Sequence, residues 1–196
     1  MPNHITNCLS IAGSEEQIKE LLEGLFQVDE DGNLTETIDF NFFDKQPESL
    51  NITDGGLGDI AERAIYDVSD NNWLTYERAT QQFEELDDKR KKEATELAEA
   101  YQENRKLYGH KTWYGWSHEH WGTKWNAYSG HVVKREEDSI HITFQTAWSP
   151  PEPIFEKMIE MGFNISGIWS DQGDDTINDI NDDEGDWYVE KEFKLF

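Results

Sequence analysis

Cysteine and basic residues are scarce in this sequence, and each shortage excludes a class of protein. Cys8 is the only cysteine among 196 residues, so no disulfide can form within the chain. The 17 Lys and Arg residues face 42 Asp and Glu residues, which gives a formal charge of −25. Lys and Arg supply most of the affinity for nucleic-acid phosphates and for anionic membranes. We therefore expect neither direct nucleic-acid binding nor membrane attachment.

Long apolar stretches are also missing from the sequence. No segment approaches the roughly 20 apolar residues that span a membrane, and residues 1–13 lack the basic start and apolar run of a signal peptide. Eight Trp residues and a hydrophobic content of 36% still supply enough large side chains for a buried core. The composition predicts one folded intracellular domain over residues 1–196.

The acidic residues are concentrated in two blocks. Residues 14–71 hold 16 acidic against three basic residues, and residues 151–196 hold 13 against three. Residues 109–150 are neutral, with four of each sign, and are rich in Trp. Two interpretations remain open, because the acidic blocks either keep the protein in solution by solvation and self-repulsion or form a surface for a basic partner.

The first part of the chain predicts a strand, a helix and a second strand. Residues 4–11 place apolar side chains between small or polar ones, as a strand does. Ser14 and Gln17 form a capping box that begins a helix, and Gly24 is interpreted as a stop signal for that helix. Residues 37–43 alternate in a way that predicts the second strand.

The middle of the chain predicts an inserted helical arm. Neither Gly nor Pro occurs between residues 59 and 108, and apolar residues recur at helical spacing from Tyr76. One helix over residues 72–108 would be about 55 Å long at roughly 1.5 Å per residue. A fold-back near residues 87–90 would instead give two helices, and both alternatives stay open. We place the insertion at about 56–109.

The last part of the chain completes a recognisable order of elements. It predicts two paired strands, a helix, a third strand, an acidic loop and a final strand, at 126–134, 139–148, 154–161, 163–170, 171–186 and 187–193. Without the insertion, the strand at 37–43 and the final strand, the order is β–α–β–β–α–β, the split βαβ order of ferredoxin-like domains. We therefore predict an α+β fold, in which an antiparallel sheet is covered on one face by two helices. A long helical arm is inserted, and an acidic loop with a strand occupies about 171–196.

Three short motifs resemble a known family. They are PNHITN at residues 2–7, WGTKWNAY at residues 121–128 and FQTAWSPP at residues 144–151. Together they resemble the YubB-type ferredoxin-like domain family of phages, plasmids and other bacterial mobile elements, over roughly a third of the chain. The resemblance implies that fold and a bacterial host, and it carries no catalytic residues. The family name does not imply an iron–sulfur cluster, which one cysteine could not ligate.

Two segments contain metal-ligating residue types at spacings that fall short of a site. His118, Glu119 and His120, with His110 nearby, would place two imidazoles on one face of a strand but on different faces of a helix. The acidic segment from Asp179 to Asp186 has alternating oxygen donors, but Glu184 stands where a calcium loop requires Gly. We predict no resident metal ion and no cofactor, and weak divalent binding by the acidic segment stays open.

The sequence contains no recognisable catalytic motif, so we expect a non-enzymatic protein. The neutral Trp-rich segment lacks the Lys and Arg that surround stacking aromatics in RNA-binding modules. A strongly anionic surface can instead occupy the basic groove of a nucleic-acid-handling host protein. Our hypothesis is inhibition of such a protein by DNA mimicry, for example as an anti-restriction or anti-CRISPR protein. The candidate partner-binding residues are Glu15, Glu16, Glu20, Glu23, Asp179, Asp182 and Asp183.

Two alternatives come from other functional classes. The protein could be a structural or accessory component of a mobile element that forms a homodimer through the helical arm. It could also be a small metal-dependent enzyme that uses the His-Trp segment or the acidic loop. Carboxylates clustered on one face favour mimicry, exposed apolar side chains on the arm favour dimerisation, and a pocket that joins His to carboxylates favours the enzyme.

Overall fold

The computed structural model describes residues 3–28, 34–68, 73–172 and 177–181. The chain divides into two compact units, which we call the sheet unit (residues 1–45 and 117–196) and the helical unit (residues 46–116). Each is described by itself below. No helix of the described part is long and apolar enough to cross a membrane.

The described residues form the following strands and helices in chain order: β1 His4–Ala12, α1 Glu15–Leu25, β2 Phe26–Val28, β3 Leu34–Ile38, α2 Leu57–Tyr66, α3 Tyr76–Glu84, α4 Asp88–Tyr108, α5 Trp113–His120, β4 Tyr128–Arg135, β5 Ser139–Ala147, α6 Glu152–Glu160, β6 Asn164–Asp171 and β7 Ile177–Asn181. Two single-turn 3-10 helices lie at Phe40–Phe42 and Glu48–Leu50.

Five strands of the sheet unit form an antiparallel sheet in the order β4-β5-β1-β6-β7. The central strand is β1, where Asn7 lies opposite Phe144 on one side and Trp169 on the other. Without β7, this is the strand order that a split βαβ chain produces. The predicted ferredoxin-like α+β fold is confirmed, and so is the central hairpin, which β4 and β5 form.

The outer strand β4 pairs irregularly with β5. The register shifts twice, between Tyr128 and His131 and again between Val132 and Lys134. Ser129 lies within the first shift and has a φ of 51°, a left-handed conformation that side chains other than Gly rarely adopt. These features are β-bulges, which bend a strand and increase its twist.

The strand predicted at residues 37–43 is wrong in most of its length. β3 ends at Ile38 and pairs with β2 in a separate two-stranded sheet. The chain then turns into a 3-10 helix because the Asp39 carboxylate accepts a hydrogen bond from the backbone N–H of Asn41 at 3.0 Å. Asp and Asn side chains compete in this way with ladder hydrogen bonds.

The acidic segment predicted as a loop at 171–186 contains a strand. β7 pairs with β6, with Ile177 opposite Ser170 and Asn181 opposite Ser166. The partner strand supplies hydrogen bonds that the local acidic composition does not reveal, so the segment is extended there. The strand predicted at 187–193 lies outside the described residues.

The core of the sheet unit lies between one sheet face and two helices. Burial alternates along β1, whose odd-numbered residues are inside, as the period of a strand requires. The inward side chains of α1 and α6 are also buried, and the Gln17 amide joins these helices by donating to the backbone carbonyl of Met161 at 3.3 Å. The buried helical side chains are Ile18, Leu21, Leu22, Leu25, Ile154, Phe155 and Met158.

Helix α1 begins as predicted but does not end as predicted. Ser14 and Gln17 form both hydrogen bonds of the capping box. Gly24 lies inside the helix, which continues to Leu25, so its interpretation as a stop signal is wrong. A Cβ atom at Gly24 would lie 2.1 Å from the ring of Phe42. Glycine is therefore present because an aromatic ring packs directly against the helix backbone.

The helical unit is built around α2, which packs against both α3 and α4. Its core consists of Ala61, Ala94 and Ala98, with Leu57, Phe83 and Leu86 packed against them. The predicted arm is two helices, since α3 ends at Glu84 and the Asp87 carboxylate caps the start of α4 at 2.9 Å from the backbone nitrogen of Arg90. The unit spans residues 46–116, whereas the insertion was predicted at about 56–109.

Candidate functional site

The four predicted carboxylates of α1 lie on one exposed side of that helix. Side chains three or four positions apart share a helix face, and the buried side of α1 is occupied by apolar residues. The carboxylates are therefore all directed outward, and they are Glu15, Glu16, Glu20 and Glu23. Lys19 lies among them, with its ammonium 3.9 Å from the Glu23 carboxylate.

Helix α6 adds three exposed carboxylates to the same helical layer. Glu152, Glu156 and Glu160 recur every fourth residue on its outer side. The Gln17–Met161 hydrogen bond places the start of α1 beside the end of α6. We call this surface the acidic helix face, and it consists of Glu15, Glu16, Glu20, Glu23, Glu152, Glu156 and Glu160. The three carboxylates of α6 are not among the residues predicted from the sequence, although their spacing of four is visible there.

The second predicted carboxylate cluster is only partly described. Asp179 lies in β7 opposite Ile168 of β6, which places it in the outermost described strand of the sheet. Asp182 and Asp183 lie outside the described residues. The structure therefore brings together the α1 carboxylates, and nothing described joins Asp179 to them.

The two histidines considered for a metal site point to different surroundings. They lie on helix α5, where residues two apart diverge. The ring of His118 stacks on Trp148, with centroids 5.6 Å apart and planes 25° from parallel. His120 Nδ1 lies 2.8 Å from Asp44 Oδ2. The strand arrangement that would have joined the two imidazoles on one face is thus excluded.

The Asp44 carboxylate contacts a lysine and a histidine within the sheet unit. Lys157 Nζ and His120 Nδ1 both contact the same carboxylate oxygen, and the Trp121 ring N–H donates to the backbone carbonyl of Asp44 at 3.0 Å. Burial favours the neutral acid, but the hydrogen bonds from Lys157 and His120 outweigh it and lower the pKa of Asp44. One of the two lysines on α1 and α6 is thereby held by a carboxylate outside the acidic helix face.

The three motifs that carry the family resemblance meet around Trp148. The backbone N–H of Trp148 donates to the carbonyl of Asn3 at 3.0 Å. The Thr123 hydroxyl donates to the Ala147 carbonyl at 2.9 Å, and the Ser149 hydroxyl donates to the Gly122 carbonyl at 2.5 Å. Trp148 itself has a φ of 76°, which is strained for a bulky residue. This hydrogen-bond network holds the strained residue in place.

Trp148 is part of an aromatic and cationic cluster. The Lys124 ammonium lies 4.5 Å from the centroid of Trp148 and 4.8 Å from that of Trp125, within the range of a cation–π interaction. Burial and the Lys124 charge lower the pKa of His118, which stacks on Trp148. The indole of Trp148 thus already contacts an imidazole and an ammonium group. Trp116 and Trp121 are buried in the core, whereas Trp125 and Trp148 are exposed.

The helical unit contains a pocket of about 420 Å³. Its wall carries acidic, basic, hydroxyl and aromatic groups, from Asp54, Asp59, Arg105, His110, Lys111, Thr112 and Tyr114. All of these residues belong to the helical unit. A pocket that contains carboxylates and an imidazole is the feature that favours the enzyme alternative, although the wall holds no recognisable catalytic arrangement.

Buried ion pairs form one side of this pocket. Lys111 Nζ lies 2.6 Å from Asp59 Oδ1, and Arg105 Nε lies 3.0 Å from Glu62 Oε1. The Tyr101 hydroxyl below them donates to the Thr53 carbonyl, and burial together with nearby carboxylates raises the pKa of Tyr101. These groups are not predicted from the sequence, because residues 52 positions apart, such as Asp59 and Lys111, give no local signal of pairing.

Comparison with known proteins supports the fold of the sheet unit. Residues 120–188 match the family model described as the ferredoxin-like domain in Api92-like protein, which covers roughly a third of the chain. The match supports a ferredoxin-like domain. The chain is also similar to the crystal structure of protein Api92 from Yersinia pseudotuberculosis, with 9% sequence identity, a TM-score of 0.47, and coverage of 100% of this chain and 99% of that one. No curated protein matches the sequence.

Proposed function

We propose that this protein binds a basic nucleic-acid-handling protein of a bacterial host through the acidic helix face, and so blocks the groove that would receive nucleic acid. The observation that carries the proposal is the concentration of charge on α1 and α6. These helices expose seven carboxylates and contain two lysines, one of which is held by Asp44. The outer surface is therefore a nearly uninterrupted anionic field.

The carboxylates form a row of negative charge along each helix, with a wider spacing than the phosphates of a DNA strand. At a rise of about 1.5 Å per residue, carboxylates three or four positions apart recur every 4.5 to 6 Å along a helix. Phosphates recur every 3.4 Å or so along the axis of each strand of duplex DNA. The inner sides of both helices are buried and a capping box begins α1, so both helices are formed before binding and little backbone has to be ordered.

The whole protein would also accelerate encounter with such a partner. A formal charge of −25 attracts a basic groove over distances beyond direct contact. The three motifs that resemble the YubB-type family add a context of phages, plasmids and other mobile elements. Within the host cytoplasm, restriction and CRISPR nucleases are partners of suitable chemistry. In this proposal, the protein is a non-enzymatic inhibitor with an anti-defence role.

Capture from a bacterial lysate would test this function. The tagged protein is incubated with lysate, and bound proteins are eluted first with duplex DNA and then with a salt step. We expect a nucleic-acid-binding protein to be released by DNA, because both would occupy one groove, and its DNA binding to be inhibited by the purified protein. A captured protein that DNA cannot displace, or one whose DNA binding is unaffected, would contradict the proposal.

A pair of charge-reversed variants locates the binding surface. The first carries Glu16→Lys, Glu20→Lys and Glu156→Lys on the acidic helix face. The control carries Glu93→Lys, Glu99→Lys and Glu103→Lys on α4, where the side chains are equally exposed. Both sets change net charge by the same amount. We expect only the first to weaken binding, mainly through the association rate. Equal losses would mean nonspecific attraction and would remove the acidic helix face as the site.

Homodimerisation through the helical unit is a second candidate function, favoured by exposed apolar side chains. Trp73 is 64% exposed and Leu107 is 58% exposed. Other exposed apolar or aromatic side chains of the helical unit are Ile65, Tyr66, Tyr76 and Tyr108. Residues 72–108 carry nine acidic and seven basic residues, so two copies could meet there without the repulsion that the acidic blocks would cause.

Sedimentation of Trp73→Ser with Leu107→Ser tests this candidate. If the surface joins two copies, the wild type sediments as a dimer and the variant as a folded monomer. Phe83→Ala is unsuitable for this purpose, because Phe83 packs against the alanine core of the helical unit. A wild-type protein that is monomeric at high concentration would eliminate the dimer.

A further inference from the structure

The ion pairs of the helical unit leave one carboxylate of its pocket without a cation. Lys111 Nζ is paired with Asp59 Oδ1 at 2.6 Å, and Arg105 Nε is paired with Glu62 Oε1 at 3.0 Å. Asp54 also lines the pocket, and no ion pair involves it in the part of the chain that the structure describes. Three carboxylates thus face two cations, so one negative charge at the pocket is uncompensated.

The Asp54 carboxylate is held in a fixed position but can still be reached by a ligand. The Thr112 hydroxyl donates to its Oδ1 at 2.5 Å, and Thr112 is itself 1% exposed, so the donor is anchored in the interior. A carboxylate can accept about four hydrogen bonds, and Asp54 is exposed. Acceptor positions on this carboxylate are therefore accessible from the pocket.

The negative charge of Asp54 acts on the groups around it. Burial, followed by the charges of Asp59 and Asp54, raises the pKa of Tyr101, because an ionised phenol beside carboxylates is unfavourable. The same carboxylates would stabilise a positive charge and destabilise a negative one. The electrostatic potential at the pocket therefore favours a cation over an anion.

The ion pairs also exclude ligands that carry a carboxylate. Both cations of the wall are held by buried carboxylates, so an anionic or zwitterionic ligand would have to break one of these pairs, which is costly in the interior. An uncharged ligand would leave Asp54 without a counter-charge. A ligand with a single positive charge and N–H donors forms a charge-assisted hydrogen bond with that carboxylate and leaves both pairs intact.

The size of the pocket indicates an organic cation. Its volume of about 420 Å³ lies within the range for small-molecule sites, roughly 300 to 1,000 Å³, and a single metal ion would leave most of it unfilled. The aromatic rings of His110 and Tyr114 also line the pocket. An alkyl group can pack against such rings, and the face of a tyrosine attracts an ammonium group within about 6 Å.

We propose that this pocket binds a small organic monocation, a protonated primary alkylamine, with its ammonium group at Asp54 and its alkyl group against Tyr114 and His110. The site uses residues of the helical unit only, whereas the acidic helix face belongs to the sheet unit. Amine binding is therefore a second property of the protein, independent of any basic partner. Loss of either property would leave the other intact.

Saturation-transfer NMR on the full-length protein at neutral pH provides the test, with butylamine as the probe. Norvaline is the matched zwitterion, because it is butylamine with a carboxylate on the carbon that carries the nitrogen, and butanol is the matched uncharged molecule. We expect butylamine to give a saturable signal at millimolar concentration and the other two to bind at least about tenfold more weakly. If butylamine gives no saturable signal, or if norvaline or butanol binds as tightly, the proposal is wrong.

Two matched variants assign the binding to the pocket, since each removes one negative charge. Asp54→Asn retains an oxygen acceptor for Thr112, and we expect the affinity for butylamine to fall about tenfold or more. Glu103→Gln removes an exposed carboxylate of α4 that does not line the pocket, and we expect the affinity to be unchanged. Circular dichroism checks that both variants fold. Unchanged affinity in a folded Asp54→Asn protein, or an equal loss in Glu103→Gln, would mean that butylamine binds the anionic surface in general and would reject the site.

Discussion

The two units of the molecule differ in the kinds of residues that they bury. The described core of the sheet unit is formed by large apolar side chains, and its buried polar residues are uncharged. The helical unit has a cluster of buried alanines as well as buried Leu, Tyr and Trp residues, and it also buries charged residues. The contrasting sets are Phe40, Phe144, Phe155, Ile5 and Leu21 in the sheet unit and Asp59, Glu62 and Lys111 in the helical unit.

This difference indicates a division of roles. The sheet unit is an apolar scaffold that carries its carboxylates outside, where they are available to a partner. In the helical unit, charged side chains are buried. Their removal from water costs free energy, and their mutual attraction in the interior offsets that cost. Stability should therefore depend on side-chain volume in the sheet unit and on charge matching in the helical unit.

The largest expected effect is a cavity in the sheet unit. Phe144 is 1% exposed and its ring contacts that of Phe40. Phe144→Ala should reduce the free energy of unfolding by about 3 to 5 kcal/mol, because a large buried side chain is lost and a cavity remains. Denaturant titration measures this change. A decrease in the free energy of unfolding below about 1 kcal/mol would show that the stability of the sheet unit does not depend on buried side-chain volume at this position.

Breaking a buried ion pair should have a comparable or slightly smaller effect in the helical unit. Lys111→Met leaves the Asp59 carboxylate buried without its lysine, and such changes cost about 3 kcal/mol. The double variant Lys111→Met with Asp59→Leu removes both charges and should recover much of that loss. Hydrogen exchange can follow the helical unit separately. If the double variant is less stable than Lys111→Met, the loss in the single variant does not arise from an unpaired Asp59 charge.

Crowding at Gly24 should have a smaller effect. Gly24→Ala gains helix propensity, but its Cβ atom would overlap the Phe42 ring. We expect a net loss of about 1 to 3 kcal/mol, the usual range for overpacking. Gly24→Ala in a Phe42→Leu background provides the control, because the overlap should be relieved. A stabilising effect of Gly24→Ala alone, measured by thermal melting, would mean that the ring moves away freely.

The smallest expected effect concerns His118 and pH. Its pKa is lowered by burial and by Lys124, so the folded protein favours the neutral imidazole. This residue should reduce stability as pH falls below its ordinary pKa of about 6.5, until the lower folded pKa is passed. Lys124→Met should raise the His118 pKa in an NMR titration, whereas Lys19→Met on α1 should leave it unchanged. If the His118 pKa is the same in Lys124→Met as in the wild type, the charge of Lys124 does not affect His118.

Local sequence patterns predicted much of the fold but could not specify every strand. The Ser14 capping box and the β4–β5 hairpin depend on nearby residues, and both were found. The second predicted strand was largely wrong because the Asp39 side chain redirects the backbone. β7 was missed because its extended conformation depends on pairing with β6, which the acidic composition does not indicate.

The candidate sites show the same limit on what a sequence reveals. Helical periodicity located the α1 carboxylates, and the same rule could have included Glu152, Glu156 and Glu160. The pocket could not be found in this way, because Asp54 and Thr112 are 58 positions apart and meet only in the folded chain. The interior charge of the helical unit is likewise a consequence of packing and leaves no local pattern.

The two β-bulges in β4 bear on how the protein avoids aggregation. A regular outer strand presents a row of backbone hydrogen-bonding groups that can recruit the edge of another sheet. In β4 the register shifts twice and the backbone enters a left-handed conformation at Ser129, so that row is interrupted. Lys134 and Arg135 add charge at the end of the strand. This edge is therefore a poor template for intermolecular β-sheet growth, even when the protein is concentrated.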